Sequence, residues 1–246
     1  MAQDMVPPQV REAMKDVKHK IVILSGKGGV GKTTVATNLA MSFAKKGKSV
    51  GLLDVDIYGP NVPKLLGLEG QHPIAEDQKI HPVIGPLGVK VMSMGFLLRK
   101  YDDAIAWRGP LVGKAISQFL SDVTWGELDV LVVDLPPGTG DEILSILQQI
   151  PNTDGVVIIS TPQEVAVLDA RRAVQLVKKM DVPVLGIIEN MKINDSTFIF
   201  NYTKEKNFHY LGSVSYDWNL ESAIGFPDKL RNISFMKDFE KVVEKL

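Results

Sequence analysis

Residues 26–34 read Gly-Lys-Gly-Gly-Val-Gly-Lys-Thr-Thr, and no other stretch of the 246-residue chain restricts its fold as sharply. The segment follows a short apolar run at 21–24 and opens a stretch where Val35, Leu39 and Phe43 recur at helical spacing up to Gly47. A glycine-rich turn between a strand and a helix is the setting of a phosphate-binding loop. Glycine admits backbone conformations closed to other residues, so successive amide N–H groups converge on phosphate oxygens where the helix dipole also favours negative charge. Gly26, Lys27, Gly28, Gly29, Val30, Gly31, Lys32, Thr33 and Thr34 are therefore the expected phosphate contacts. Lys32 is placed to reach the outer phosphates, and the Thr33 hydroxyl to ligate Mg²⁺.

The rest of the chain alternates in the same manner. Apolar runs at 49–53, 89–94, 130–133, 155–159, 184–188 and 210–213 are short enough for strands buried on both faces. Helical patterns fall at 33–46, 111–123, 142–149, 165–180 and 235–246. This predicts an α/β fold: a single P-loop domain over 1–246, with a mostly parallel sheet flanked by helices on both faces and ligands at the carboxyl ends of the strands. Residues 1–19, with Pro7-Pro8 and then Val10, Met14 and Val17, read as an N-terminal arm ending in a short helix. Residues 77–88, with Pro82, Gly85 and Pro86, read as a surface loop.

Two carboxylate groups complete a phosphate site. The run 128–134 is an apolar strand ending in Asp134, as a Walker B element does, which places Asp134 to hold Mg²⁺ through its water shell. The loop 135–141 that follows, Leu-Pro-Pro-Gly-Thr-Gly-Asp, suits contact with a γ-phosphate through Gly138. Asp54 and Asp56, two apart at the end of the second strand, point to one side. Either can orient a water and accept its proton, and Asp54 can alternatively serve Mg²⁺ or the structure.

Charge and cysteine content narrow the partners. The 28 basic and 29 acidic side chains give a net charge of −1, so no overall field draws the chain to nucleic acid or an anionic membrane. The first apolar run is too short for a signal-peptide core or a membrane span, and the cytoplasm is the expected location. The chain has no cysteine, which removes disulfides, thiol nucleophiles and thiolate metal sites together. His19, His72, His81 and His209 lack a metal-ligand spacing.

The loop, with its second lysine at Lys27, resembles the deviant Walker A loop of the MinD, ParA and nitrogenase-iron-protein class. The resemblance implies a nucleotide-sandwich homodimer in which Lys27 crosses to the partner's nucleotide and acts with Lys32. It also implies that Asp56 is the water-positioning residue of the first switch and that Asn190 contacts adenine, favouring ATP. A switch ATPase that positions cargo on membrane or DNA is the alternative this class offers.

Longer stretches narrow the class: 54–61 (Asp-Val-Asp-Ile-Tyr-Gly-Pro-Asn), 91–98, Trp107-Arg108-Gly109-Pro110, 125–141, 160–164 and Glu189-Asn190-Met191. Together, over about residues 18–191, they resemble the Mrp/ApbC family of iron–sulfur cluster carrier ATPases. That resemblance implies slow, dimer-dependent hydrolysis of Mg-ATP and a cluster held between subunits by a Cys-x-x-Cys pair just after Glu-Asn-Met. Here 192–198 reads Lys-Ile-Asn-Asp-Ser-Thr-Phe. The divergent region 192–209 supplies no thiolate, no iron–sulfur ligand is assigned, and direct cluster binding by that route is closed. Open readings are a partnership with a cysteine-bearing scaffold or apo-protein client, a carrier using oxygen or nitrogen ligands, and an ATPase turned to another task.

Overall fold

The computed structural model describes residues 6–97, 109–231 and 236–246. In chain order the first half runs α1 (Pro8–Ala13), β1 (Val17–Ser25), α2 (Lys32–Lys45), β2 (Val50–Asp54), α3 (Val62–Leu65), β3 (Ile74–Glu76), β4 (Lys79–His81), β5 (Val83–Ile84), β6 (Lys90–Ser93) and α4 (Gly109–Ser121). The second half runs β7 (Leu128–Asp134), α5 (Asp141–Leu147), β8 (Gly155–Ser160), α6 (Glu164–Lys179), β9 (Val184–Lys192), α7 (Phe198–Lys206), β10 (Tyr210–Ser215), α8 (Leu220–Ala223), α9 (Pro227–Arg231) and α10 (Met236–Val243).

Strand β1 alternates between two apolar layers. Val22 and Leu24 enter one, with α4, α5, α6 and α7, whereas Ile21 and Ile23 enter the other, with α2 and α10. A strand with both faces covered reads as a continuous apolar run, which is why the period-two signal is invisible here. The sheet has eight strands in the order β10-β9-β8-β1-β7-β2-β6-β5, all parallel except the β5–β6 pair. The chain leaves β1 to one side for β2 and returns to the other for β8, so a switch point opens at the carboxyl end of β1. Among the described residues no helix is long and apolar enough to cross a membrane.

The structure departs from the sequence expectations at several places. The N-terminal arm ends sooner, because β1 begins at Val17: Lys18 pairs with Asp129 at 2.8 Å and Lys20 folds its Nζ onto the Val17 carbonyl at 2.7 Å, so charged residues join the strand. The expected loop over 77–88 is a β3–β4 hairpin, turned by Asp77 and Gln78 at φ 48° and 62°, followed by the antiparallel edge strand β5. Helix α7 stands within the divergent region 192–209, where no helix was expected. Expectations resting on residues 1–5, Leu98, Trp107, Arg108 and Phe235 lie outside the described residues.

Candidate nucleotide site

The loop 26–31 leaves β1 and turns directly into α2, held from beneath by two elements far along the chain. At Gly26 an added Cβ would stand 2.2 Å from the Asp169 carbonyl oxygen, so the loop lies against the backbone of α6. At Gly31, where φ is 75°, a Cβ would stand 2.4 Å from Asn190 Nδ2 as well as in a conformation that favours glycine. Asn190 is buried on β9 and donates from Nδ2 to the Val30 carbonyl at 2.8 Å. The Gly138 amide donates to the Ser25 carbonyl at 2.9 Å, which ties the 135–141 loop to the end of β1.

Above this floor lies a cleft of about 530 Å³, lined by Lys27, Lys32, Thr33, Asp56, Tyr58 and Pro137 among others. A second cleft of about 290 Å³ adjoins it, sharing Thr34 and Ile224 and lined also by Asn190, Met191, Tyr216 and Trp218. The size and contiguity of the two suit a phosphate chain in one and a flat apolar group in the other.

Lys32 is only 5% exposed, with Nζ 2.6 Å from Asp134 Oδ1 and 3.8 Å from Asp56 Oδ2. Asp134 Oδ2 is buried and has no hydrogen-bond partner among the described residues. Burial pushes the Asp134 carboxyl up, and the Lys32 ammonium beside it opposes the shift. Asp56 anchors Oδ1 on the amides of Tyr58 (3.1 Å) and Gly59 (3.2 Å), which leaves Oδ2 as its face toward Lys32. Lys27, by contrast, is 39% exposed at the rim and pairs with Asp169 Oδ2 at 3.7 Å.

Asp54 is fully buried and holds the backbone together. It accepts from the Asp56 amide (3.1 Å), the Val62 amide (3.4 Å) and the Ser93 hydroxyl (2.8 Å). Burial, reinforced by the nearby Asp134 carboxylate, pushes its pKa up to about 8. A native pKa above the unfolded value means that the folded state retains this proton, so the group's contribution to stability falls as pH rises from about 4 to about 8. Asp54→Asn is expected to flatten that dependence, with a gain in Tm over wild type at pH 8 that shrinks as pH falls and vanishes only at about pH 4. Thermal melts of the nucleotide-free protein across that range check it, and parallel curves would refute it.

Sequence reasoning did not find Asp169, Ser93, or the Tyr58 hydroxyl that donates to Glu142 at 3.2 Å. Ser93 and Tyr58 fall within the stretches 91–98 and 54–61 quoted above, but their contacts, like that of Asp169, are tertiary and no spacing marks them.

A parallel sheet with a two-lysine phosphate loop at its switch point, a strand-end aspartate facing the loop lysine and a second aspartate across the cleft defines a P-loop NTPase. A family model described as ParA, NUBPL iron-transfer P-loop NTPase, matches residues 16–223, and the chain belongs to that family. It is similar to the iron-sulfur cluster carrier protein of Methanocaldococcus jannaschii, with 46% identity covering 97% of this chain and 87% of the relative. It is also similar to the iron-sulfur cluster transfer protein NUBPL of Dictyostelium discoideum, with 45% identity covering 84% and 68%. Among solved structures, a nucleotide-binding protein of Archaeoglobus fulgidus in complex with ADP superposes with a TM-score of 0.75, at 33% identity over 96% of this chain and 92% of that one. The cell division ATPase MinD of Pyrococcus furiosus superposes at 0.72 with 20% identity, over 93% and 98%, and shares the fold.

Proposed function

We propose that the protein binds and hydrolyses Mg-ATP as a homodimer in the cytoplasm and uses that cycle in the assembly or transfer of iron–sulfur clusters. The observation that carries this reading is the convergence of Lys32, Thr33 and Asp56 on one cleft at the N-terminus of α2, with Asp134 buried behind it against Lys32 at 2.6 Å. Lys32 neutralises Asp134 across 2.6 Å. A phosphate chain entering the cleft supplies Lys32 with a stronger multivalent partner and frees Asp134.

The oxygen donors present fit magnesium: the Asp134 carboxylate, one oxygen of which has no partner among the described residues, and the Thr33 hydroxyl next to Lys32. Bound there, Mg²⁺ would supply positive charge to the phosphate chain. Asp56 then orients the attacking water and accepts its proton, its carboxylate fixed by the Tyr58 and Gly59 amides. The glycines and Thr34 of the loop present backbone amides to phosphate, and Gly138 carries the γ-phosphate contact of the neighbouring loop. Lys27 crosses to the partner's nucleotide, where a cation offsets charge on the transferring phosphoryl group. The second cleft receives the base, with the Asn190 carboxamide beside adenine.

Similarity to named carriers at 46% and 45% identity favours the iron–sulfur task over membrane or DNA positioning, since the likeness to MinD at 20% speaks to fold. With no cysteine in the chain, the thiolates for a cluster come from a cysteine-bearing scaffold or apo-protein client. The test is twofold. Wild-type protein should hydrolyse ATP with a specific rate that rises with protein concentration, while Asp56→Ala keeps nucleotide affinity and loses about 10²-fold or more in turnover. Anaerobic incubation with iron and sulfide, with and without Mg-ATP, should leave no stoichiometric iron on the desalted protein alone. A retained cluster would assign the cargo to oxygen or nitrogen ligands of this chain, and absence of ATP turnover would overturn the ATPase reading.

A further inference from the structure

A tryptophan side chain is highly buried on average, since its large ring gains much by leaving water. Trp218 is 83% exposed, yet the turn that carries it is tied down on both sides. The Ser215 amide and hydroxyl donate to Asp238 Oδ2 at 3.0 and 2.9 Å, and the Tyr216 amide donates to the Lys192 carbonyl at 3.0 Å. Asp217 Oδ1 accepts from the Asn219 amide at 2.9 Å, which closes the turn around Trp218. The Tyr216 ring meets the indole edge to face, with centroids 4.7 Å apart and planes at 69°. At that exposure the contact with Tyr216 leaves an indole face open. A flat apolar side chain is thus held in water on a fixed support.

A lone exposed apolar side chain needs no explanation, but the place of this one does. Trp218 lines the cleft of about 290 Å³, together with Tyr216, Met191, Leu220 and Ile224. That cleft runs into the phosphate cleft through Thr34 and Ile224. A group that enters joined to a phosphate chain therefore meets apolar walls and an aromatic ring, which is the lining a flat heteroaromatic ring requires. An aromatic side chain stacks on a base through its π-face, whatever donors and acceptors the base carries on its edge.

We propose that Trp218, braced by Tyr216, stacks on the nucleobase of the bound nucleotide and gives this chain a preference for purine over pyrimidine nucleotides without separating adenine from guanine. This rests on the reading above that the second cleft receives the base, and deepens it by naming the side chain that grips the ring and what that grip can distinguish. A two-ring base covers more of the indole than a one-ring base and stacks more strongly. The edge of the base is left to hydrogen-bonding groups such as the Asn190 carboxamide.

The experiment is calorimetric titration of wild type, Trp218→Ala and Trp218→Phe with ADP, GDP, UDP and pyrophosphate, each with magnesium. Trp218→Ala is expected to lose affinity for ADP and GDP by the same factor, about fivefold or more, the lower end of what a base stacked on an aromatic ring is worth. Its loss for UDP should be smaller, and its affinity for pyrophosphate, which carries no base, should equal that of wild type. Trp218→Phe should keep most of the affinity for ADP, because a smaller ring still stacks. Truncating so exposed a ring leaves the core intact, so both variants should melt with wild type. If wild type prefers ADP to pyrophosphate and Trp218→Ala binds ADP equally well, the stacking role is overturned and the base cleft stands. Equal losses for ADP and pyrophosphate would make Trp218 a support of the loop and overturn its contact with the base, and equal losses for ADP and UDP would refute the purine preference. A wild type that binds pyrophosphate as tightly as ADP would overturn the base reading of the cleft and this one with it.

Discussion

Lys27→Ala should leave nucleotide binding intact and lower ATP turnover by about 10³-fold or more, the scale of a cation supplied in trans to a transferring phosphoryl group. The two loop lysines differ in accessibility, and the roles proposed for them rest on that difference. Lys32 is buried against Asp134, whereas Lys27 sits at the rim, 39% exposed, with Asp169 at 3.7 Å. An exposed pair of that length is weak, so Lys27 leaves Asp169 at small cost when a partner's nucleotide is presented. Mixing separates action in trans from action in cis. If Lys27 serves the partner's nucleotide and Asp56 its own, each mixed dimer of Lys27→Ala with Asp56→Ala contains one complete site. Equal amounts of these two inactive proteins then recover about a quarter of wild-type turnover, since random pairing makes half the dimers mixed. A mixture as inactive as its components would assign Lys27 to its own subunit or to no catalytic role.

The second large effect is on stability. Asp134→Ala is expected to destabilise the nucleotide-free protein by about 3–5 kcal/mol, because it leaves the Lys32 ammonium buried without its nearest counter-charge. For a chain of this size that is a fall of roughly 6–20 °C in Tm, with Asp56 at 3.8 Å moderating the loss toward the lower end. Magnesium-dependent turnover should disappear as well. Removing both charges with apolar residues of similar volume, as in Lys32→Met with Asp134→Leu, should restore much of the stability and none of the activity. Melts of the three proteins, with turnover measured on the same samples, check it. A single variant as stable as wild type would show that the pair is not what holds this part of the core.

The parts of this architecture written in the sequence are those that act locally. Gly26 to Thr34 announce a phosphate loop because glycine spacing and the flanking strand and helix all lie within a few residues. Strands β2, β7, β8 and β9 are legible because burial on both faces makes them continuous apolar runs. The β3–β4 hairpin is not, because its strands are three residues each and mostly solvent-facing, so Ile74, Ala75 and Ile80 make no apolar run, and its turn uses Asp77 and Gln78 where glycine or asparagine would have marked it. Helix α7 did leave a signal in Ile199, Tyr202 and Thr203 at helical spacing, masked by the polar residues around them. Asp134 is marked by the end of an apolar strand, whereas Asp56, two residues past the end of β2, is separated from Asp54 only by the class resemblance. The contact of Asp169 with Lys27, and the seating of Gly31 over Asn190, depend on how α6 and β9 dock and have no local signature.

The position of β1 in the middle of the sheet also sets the order in which the protein can be made. Its two neighbours are β7 and β8, so this early strand waits until residues 128–160 have left the ribosome before either of its edges is paired. The contacts that shape its loop come later still, from Asp169 and Asn190. Such long-range parallel pairing is slow and leaves apolar surface open while it completes. The nascent chain therefore carries its phosphate-binding sequence long before it has a phosphate-binding site, and ATP can select only chains whose folding is nearly finished.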